Sequence, residues 1–290
     1  MERVSVVRTS MDIEAAVRSS LDLIGDIGIC SGESVVLKPN ICNSKNPNGM
    51  VNTDPRIIQA VVKIVKERGG KITVVESDNI SGTADKRVEE SGYLDLFEQL
   101  DVEFLNLSQD EFIEYPVAGT KLKIPITVLD ADFFINMPKI KTCAHTIVTL
   151  GIKNLYGIFQ RASKGKLHKH LDKILPFLAE VIRNDLVVVD GLVCMEGNGP
   201  VVGNPRCLDI VVSGKNLVSV DSVCSRIMGY DPKDISHIAL SSAKGLGPTE
   251  IGEIEVVGVD LKEFIDPFEP PYSLKATIRS LKSIRDIYLG

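Results

Sequence analysis

A cluster of lysine and amide side chains follows an apolar segment near the middle of the chain. The stretch NMPKIKTCAHT and the following TLGIKNLYGIF contain Lys139, Lys141, Lys153 and Asn154, with His145 among them. Ammonium groups supply charge and amides supply directed hydrogen bonds, a combination that binds carboxylates or phosphates. A buried lysine or a histidine can also transfer protons. We expect Lys139, Lys153 and Asn154 to bind an anion. Lys141 and His145 are the predicted catalytic groups, and the alternative is a solvated basic loop.

Polar side chains also follow two predicted strands of the first half. VVLKPN ends in Lys38 and Asn40, and VVESDN contains Glu76 and Asp78. Because ligands of open parallel sheets bind beyond the carboxyl ends of the strands, Lys38 and Asn40 are further predicted contacts of the anion. Two neighbouring carboxylates can hold a divalent metal ion, or can raise one pKa enough for a general base. Glu76 and Asp78 are therefore predicted metal ligands, with a polar turn as the alternative.

A glycine-rich connection, EGNGPVVGNPR, follows the apolar segment LVVVDG. Its glycines and prolines indicate a tight, preformed backbone whose N–H groups could bind an anion. The spacing matches neither a dinucleotide-binding loop nor a P-loop, so glycine content does not indicate a nucleotide. Glu196 is a predicted catalytic group and Asn198 a predicted ligand contact, while a rigid connection is the alternative. Further along, Asp221 is placed at or near a helix start, where capping and catalysis are both open interpretations.

The six cysteines contain no C-x-x-C motif. This spacing is not that of a disulfide framework or of a local zinc or ferredoxin-type site. An iron–sulfur cluster would have to be assembled from distant segments, with Cys42, Cys143, Cys194 and Cys207 as its ligands. His168 and His170 form an H-x-H pair and are expected to be surface residues.

Composition excludes several classes of protein. The chain has 290 residues, 44% of them hydrophobic and 25% charged, which is typical of a globular protein. Its formal net charge of −6 opposes a phosphate backbone, so no nucleic-acid partner is expected. No apolar run is long enough for a membrane span and no signal peptide is recognisable, which predicts a cytoplasmic protein.

The order of predicted elements indicates an α/β fold. The first hundred residues alternate β-branched runs with amphipathic helices, the pattern of a largely parallel, doubly wound sheet. One of these helices is expected to be capped by Thr53 or Asp54, with Pro55 near its first turn, and another is expected over 88–100. Residues 110–138 favour hairpin or mixed strands, and a second α/β half with mixed strands follows. The predicted domains are residues 1–130, residues 131–265 with the lysine-rich and glycine-rich loops, and residues 266–290. The last comprises a proline-rich joint and an amphipathic C-terminal helix that could contact a partner protein.

With these segments assembled, the chain resembles the domain of unknown function 362 family of bacteria and archaea. The resemblance rests on VVLKPN, NMPKIKT followed by GIKNLYG, VVDGLVCMEGNGPVVGNP, and SVDSVCSRIMGYDP with the later KGLG. Some relatives carry an appended ferredoxin-like module and are called iron–sulfur proteins, but its closely spaced cysteines are absent here. The typical family sequence has histidine directly after the Lys-Thr pair, whereas this chain has Cys143 there and His145 two positions later.

The leading hypothesis is an enzyme that binds a small anionic ligand, a carboxylate or a phosphate, in a crevice between two α/β halves. A divalent metal ion is a possible cofactor. Two alternatives remain open: an iron–sulfur or redox-cofactor protein that uses the dispersed cysteines, and a non-catalytic binding module of a larger assembly. The reaction type stays open as well.

Overall fold

The structure, a computed structural model, describes residues 1–9, 12–159, 167–271 and 273–274. The strands in these ranges are β1 (Glu2–Arg8), β2 (Ser34–Pro39), β3 (Lys71–Glu76), β4 (Glu103–Asn106), β5 (Phe112–Val117), β6 (Thr120–Pro125), β7 (Phe133–Met137), β8 (Lys139–Cys143), β9 (Ile147–Thr149), β10 (Leu186–Glu196), β11 (Asn204–Gly214) and β12 (Ile254–Gly258). The α-helices in the same ranges are α1 (Ile13–Ile24), α2 (Pro55–Glu67), α3 (Ala84–Glu90), α4 (Tyr93–Gln99), α5 (Ile126–Leu129), α6 (Gly151–Asn154), α7 (Leu171–Val181), α8 (Leu217–Ile227) and α9 (Ser236–Ala243).

One large sheet organises the described chain. Its main path has the order β12-β1-β11-β10-β7-β2-β3-β4, and β8 and β9 extend it beside β10. Neighbours along the path pair in parallel except at β11, which runs antiparallel to both β1 and β10. The strands β5 and β6 form a separate antiparallel hairpin. The expected α/β class, with a mostly parallel sheet, is confirmed.

Both faces of the sheet are buried, which explains why its strands are apolar at consecutive positions. Successive residues of a strand point to opposite faces. In β2, Val36 belongs to one core cluster, while Val35 and Leu37 belong to the other. Helices α1, α2 and α4 pack in the second cluster, whereas α7, α8 and α9 pack in the first. Helical connections on both faces let the parallel strands end at one edge, where the candidate site lies.

Some helices begin and end where local sequence signals predict, and others do not. Helix α2 begins as predicted, with Asp54 accepting a hydrogen bond from the Arg56 N–H and Pro55 in the first turn. The predicted helix over 88–100 is instead two helices, α3 and α4. Gly92 separates them with φ of 77°, the left-handed region that favours glycine. The predicted start of a helix at Asp221 is wrong, because Asp221 lies in the middle of α8.

Strands from both predicted α/β halves contribute to the one sheet. Strand β7, from the second predicted domain, pairs with β2, and β1 pairs with β11. The boundaries at residues 130 and 265 remain a prediction, because sheet membership alone does not define a folding unit. The predicted C-terminal helix, beyond residue 274, lies outside the described residues. None of the helices in the described ranges is long and apolar enough to cross a membrane.

Candidate functional site

The polar residues predicted at the strand ends meet at one place in the fold. Strand β2 delivers Lys38, which is in register with Asn136 of β7, and Asn40 follows directly after β2. Lys141 lies in β8, the continuation of β7, and Asn154 is the last residue of α6. All five side chains are buried. We call Lys38, Asn40, Asn136, Lys141 and Asn154 the lysine–amide network.

Asn154 connects the parts of this network. Its side-chain oxygen accepts a hydrogen bond from Asn40 Nδ2 at 3.0 Å. Its Nδ2 donates to the backbone oxygen of Lys38 at 3.2 Å and to Asn136 Oδ1 at 2.8 Å. Asn136 Nδ2 in turn donates to the Gly151 oxygen at the start of α6. Because buried amides are costly when unpaired, this chain of contacts fixes α6 against the ends of β2 and β7.

Lys141, a predicted catalytic residue, is fully occupied by contacts within the protein. Its Nζ donates to Asn40 Oδ1 and to the Val51 oxygen, both at 2.7 Å, and contacts Cys42 Sγ at 3.3 Å. An ammonium group has three donors, so these three acceptors satisfy it. The geometry favours a role in holding the loop after β2, and the predicted catalytic role remains a prediction.

Lys38 forms a buried ion pair with Glu76, a predicted metal ligand. The Lys38 Nζ donates to Glu76 Oε2 at 2.8 Å and to the Pro39 oxygen at 2.9 Å. Burial lowers the pKa of Lys38, and the charge of Glu76 opposes this effect. Glu76 also accepts hydrogen bonds from the backbone N–H groups of Ile41 and Ser77. The carboxylate of Glu76 therefore stabilises the turns after β2 and β3.

The other predicted metal ligand, Asp78, has different partners. Its Oδ1 accepts from the Ala84 N–H at the start of α3 and from Asn106 Nδ2. Within the described residues, no group of three or more histidine, cysteine, aspartate or glutamate side chains is placed to hold a metal ion. The metal site predicted at Glu76 and Asp78 therefore receives no support from this part of the chain.

The ion pair of Lys38 and Glu76 lies directly against Gly157, and this contact gives a testable prediction. A Cβ atom at Gly157 would lie 2.7 Å from Lys38 Nζ and 2.9 Å from Glu76 Oε1. We expect Gly157→Ala to displace the pair and to lower the free energy of unfolding by about 1–3 kcal/mol, the usual cost of overpacking. Urea denaturation followed by circular dichroism measures this change.

The matched control is Gly252→Ala, because a Cβ atom at Gly252 meets nothing within 4 Å. This variant should change the free energy of unfolding by no more than about 0.5 kcal/mol. Equal stabilities of the two variants would contradict the tight contact between Gly157 and the ion pair.

Lys153 differs from the other lysines of the site. Its Nζ lies 4.3 Å from the centre of the Tyr156 ring, and it has no hydrogen-bond acceptor or carboxylate partner among the described residues. Its side chain is partly buried. Burial lowers the pKa of Lys153, the nearby charge of Lys141 lowers it further, and the thiols of Cys143 and Cys42 act in the opposite direction. Lys139, in contrast, donates to Asp190 at 2.7 Å.

Helix α6, which carries Lys153, is held by Asp221 from α8. Asp221 Oδ1 accepts from the Gly151 N–H at 2.7 Å, and its Oδ2 accepts from the Ile152 N–H at 2.8 Å. Asp221 is therefore a helix cap, but of another helix than its own. The signal in the sequence is an acidic residue inside an apolar helical stretch, VSVDSVC. Asp190 has the same signal within LVVVDG, but the sequence alone does not indicate its role.

Cys143 is the thiol next to Lys153. It is buried at the end of β8. Burial by itself would raise the pKa of this thiol, but the charge of Lys153 and hydrogen bonds from Thr146, Thr149 and the His145 backbone outweigh burial and lower the pKa. The structure thus places Lys153, which has no hydrogen-bond acceptor among the described residues, beside a thiol whose pKa is lowered.

His145, the other predicted catalytic residue, lies in the exposed turn between β8 and β9. Its ring stacks on His168 with centroids 4.6 Å apart, and His168 stacks on Tyr156 at 5.6 Å. His168 is exposed, as expected, yet the stack places it beside the candidate site. The series of rings links His145 to Tyr156, and Lys153 lies over the Tyr156 ring.

Glu196 and Asn198 belong to the glycine-rich connection at the end of β10. Glu196 Oε2 accepts from Arg206 Nη1 at 2.8 Å and from the Glu269 N–H at 3.1 Å. The Thr142 hydroxyl donates to the Gly197 oxygen at 2.7 Å, so the connection packs on the end of β8. The ion pair with Arg206 favours a structural role for Glu196. Its catalytic role, and ligand contact by Asn198, remain predictions.

The four cysteines proposed for an iron–sulfur cluster do not form a common group. Cys42 and Cys143 lie near Lys141 and Lys153, whereas Cys194 is buried in β10 and Cys207 is exposed on β11. Burial raises the pKa of Cys194, which disfavours the thiolate that a cluster requires. Within the described residues, no three cysteines, histidines or acidic residues are placed to hold a metal. The arrangement of these residues therefore does not support the iron–sulfur alternative.

Comparisons with known proteins agree with the family resemblance that the order of the sequence motifs indicates. The model of a family described as "Domain of unknown function (DUF362)" matches residues 35–226, well over half of the chain. The chain is also similar to the "Thylakoid-associated protein sll1697" of Synechocystis sp., with 30% identity over 301 residues, covering 95% of this chain and 94% of that protein. Association with thylakoids, which that name states, is a property of the relative. A cytoplasmic location of this chain therefore remains a prediction.

Proposed function

The chain belongs to the DUF362 family, and because the description of that family names no reaction, we propose a function from the site itself: an enzyme that binds a small organic anion at Lys153. The anion is a carboxylate or a phosphate ester. The observation that carries the proposal is the lack of an acceptor for Lys153 Nζ among the described residues, beside three lysines that have acceptors.

The contrast with the other lysines supports this assignment. Lys38 and Lys139 pair with Glu76 and Asp190, and Lys141 has three acceptors in its own protein. Removing an ammonium group from water is unfavourable unless a partner of opposite charge replaces the water. Lys153 is partly buried and has Lys141 as a neighbouring positive charge. An anionic ligand would supply the missing partner.

The surroundings of Lys153 favour an enzyme over a simple binding protein. Lys153 and Cys143 shift each other's pKa, and groups with perturbed pKa values are typical of active sites. A thiol with lowered pKa releases its proton more readily than an ordinary thiol. In this proposal Lys153 binds the anion, Cys143 exchanges a proton, and the lysine–amide network positions α6. Lys141 acts through the network rather than on the ligand.

Lys153→Met tests the proposal, because methionine keeps most of the length of the side chain and removes its charge. We expect the affinity for inorganic phosphate and for acetate, measured by isothermal titration calorimetry, to fall roughly tenfold or more, since hydrogen bonds to charged groups contribute about 1.5–3 kcal/mol. Lys153→Arg should keep part of the affinity because it retains the charge.

The control is Lys71→Met, which removes an exposed lysine at the amino end of β3, away from the strand ends of the site. This variant should bind both probes like the parent. Failure of the parent to bind either anion, or equal affinities of the parent and Lys153→Met, would refute the proposed role of Lys153.

A further inference from the structure

The stacked histidines line a cavity, which we call the His237 cavity. Its walls are the turn between β8 and β9, the residues at the start of α7, and the residues at the start of α9. Its volume is about 290 Å³, near the lower limit of pockets that bind organic molecules. Lys153 is not part of its lining, although Lys153 and His168 both lie near the Tyr156 ring.

His237 is the buried polar group of this cavity. Its side chain lines the cavity although the residue is only 2% exposed. Its Nε2 is buried and has no hydrogen-bond partner among the described residues. Burial, together with the charge of Lys153, lowers the pKa of His237 to about 3. The ring is therefore neutral at physiological pH, and a neutral imidazole can form a hydrogen bond with an uncharged polar group. Buried polar groups normally have a hydrogen-bond partner. We therefore expect the His237 Nε2 to bind a group from outside the protein.

The charged groups of the cavity are of both signs. Asp172 and Asp234 contribute two exposed carboxylates, and Lys169 contributes one exposed ammonium group. None of the three has a hydrogen bond or ion pair from its side chain in the described part of the chain. The carboxylates only accept hydrogen bonds and the ammonium group only donates them. A ligand that matches all three must therefore offer both donors and acceptors.

The remaining walls are flat rings and aliphatic side chains. His145 and His168 present stacked imidazoles, while Leu171 and Leu175 contribute apolar surface. Ile147, also in the lining, has φ of 67°, an unusual conformation for a β-branched residue. Strain of this kind persists where surrounding structure enforces it, commonly at binding sites. The walls suit a ligand with an apolar face.

We propose that the His237 cavity binds a neutral polyhydroxylated molecule of about monosaccharide size. A hydroxyl group can donate to Asp172 or Asp234 while it accepts from Lys169 or a histidine, and the carbon skeleton packs on the rings and leucines. A carboxylate or phosphate would face two carboxylates, and a cation would face Lys169. This site is separate from the anion site at Lys153.

The test is saturation-transfer difference NMR of the full chain with D-glucose, D-ribose and myo-inositol as probes. We expect saturation transfer to at least one probe, together with a shift of the His237 Nε2 resonance. Asp172→Asn and Asp234→Asn, both at exposed positions, should each weaken this binding roughly fivefold or more, as expected for a lost hydrogen bond to a charged group. His237→Gln should weaken it as well.

Asp95→Asn is the matched control, because Asp95 is exposed on α4, on the other face of the sheet. It should leave the binding unchanged. The proposal is overturned if no probe binds, if the Asp172 and Asp234 variants bind like the parent, or if only inorganic phosphate or an alkylamine binds in the cavity.

Discussion

Asp190→Ala is expected to lower the free energy of unfolding by about 3–5 kcal/mol, because it leaves the charge of Lys139 buried without a partner. Lys139 Nζ donates to Asp190 Oδ2 at 2.7 Å, and both side chains are fully buried. The same carboxylate accepts from the Asp54 N–H at the start of α2 and from the Leu192 N–H. The substitution therefore removes an ion pair and two further hydrogen bonds at once.

A second substitution separates the ion pair from the other contacts. In Lys139→Met combined with Asp190→Ala, no buried charge is left, so this double variant should be more stable than Asp190→Ala alone. Urea denaturation of the parent, the two single variants and the double variant gives the coupling energy. Lys121→Ala, which breaks an exposed ion pair with Glu114, is the control and should cost no more than about 1 kcal/mol.

An Asp190→Ala variant as stable as Lys121→Ala would contradict the structural role of this pair. The result also bears on the prediction that Lys139 contacts the ligand. A lysine whose charge is neutralised inside the sheet has little attraction left for an anion. A large coupling energy would thus support Lys153, rather than Lys139, as the anion-binding residue.

The second large effect is a pH dependence of stability that arises from Asp221. Burial raises the pKa of Asp221 from 3.8 to about 7, although two backbone N–H groups donate to it. An acid whose pKa is raised by folding binds protons more tightly in the folded state. Its contribution to stability is therefore complete below about pH 4 and is lost as the pH rises to about 7, by up to about 1.4 kcal/mol per pH unit.

His237 acts in the opposite direction. Its pKa is lowered from 6.5 to about 3, so the folded state disfavours the protonated ring. Its contribution is present above about pH 6.5 and is lost as the pH falls toward 3. Between about pH 4 and pH 6.5 the two contributions change with opposite sign and offset each other. The parent protein should show little net slope from these two groups.

The single variants should reveal each contribution. We expect the free energy of unfolding of Asp221→Asn, relative to the parent, to fall as the pH is lowered from about 6.5 to 4.5, because the variant lacks the group that gains protons on folding. His237→Gln should gain stability relative to the parent over the same interval. Urea denaturation at several pH values measures both differences, and profiles parallel to the parent's would contradict the assigned pKa shifts.

Loss of Asp221 also affects the candidate site, because this residue holds the start of the helix that carries Lys153. In Asp221→Asn, one amide oxygen can still accept from α6, but the amide nitrogen faces an N–H donor. The site and the stability of the fold are therefore coupled through one carboxylate. The sequence predicts Asp221 at or near a helix start, and this position is wrong, because the helix already begins at Leu217.

The residues of the chain by themselves determined the α/β class, most strand and helix positions, and the convergence of the predicted lysines and amides at one sheet edge. These features follow from local patterns: β-branched runs, helical periodicity, and the rule that parallel strands bring their carboxyl ends together. Helix α2 shows this best, since its cap and first-turn proline are adjacent in the sequence.

Only the tertiary structure decided which of these residues are available for chemistry. Lys139 and Asp190 are 51 positions apart, and Lys141 and Asn40 are 101 positions apart. Hydrogen bonds of this kind depend on distances of a few ångströms that packing sets, and a residue pattern specifies a face rather than a partner. Lys38, Lys139 and Lys141 resemble Lys153 in the sequence, but packing supplies them with acceptors and leaves Lys153 without one among the described residues. The chemistry proposed here follows from that difference.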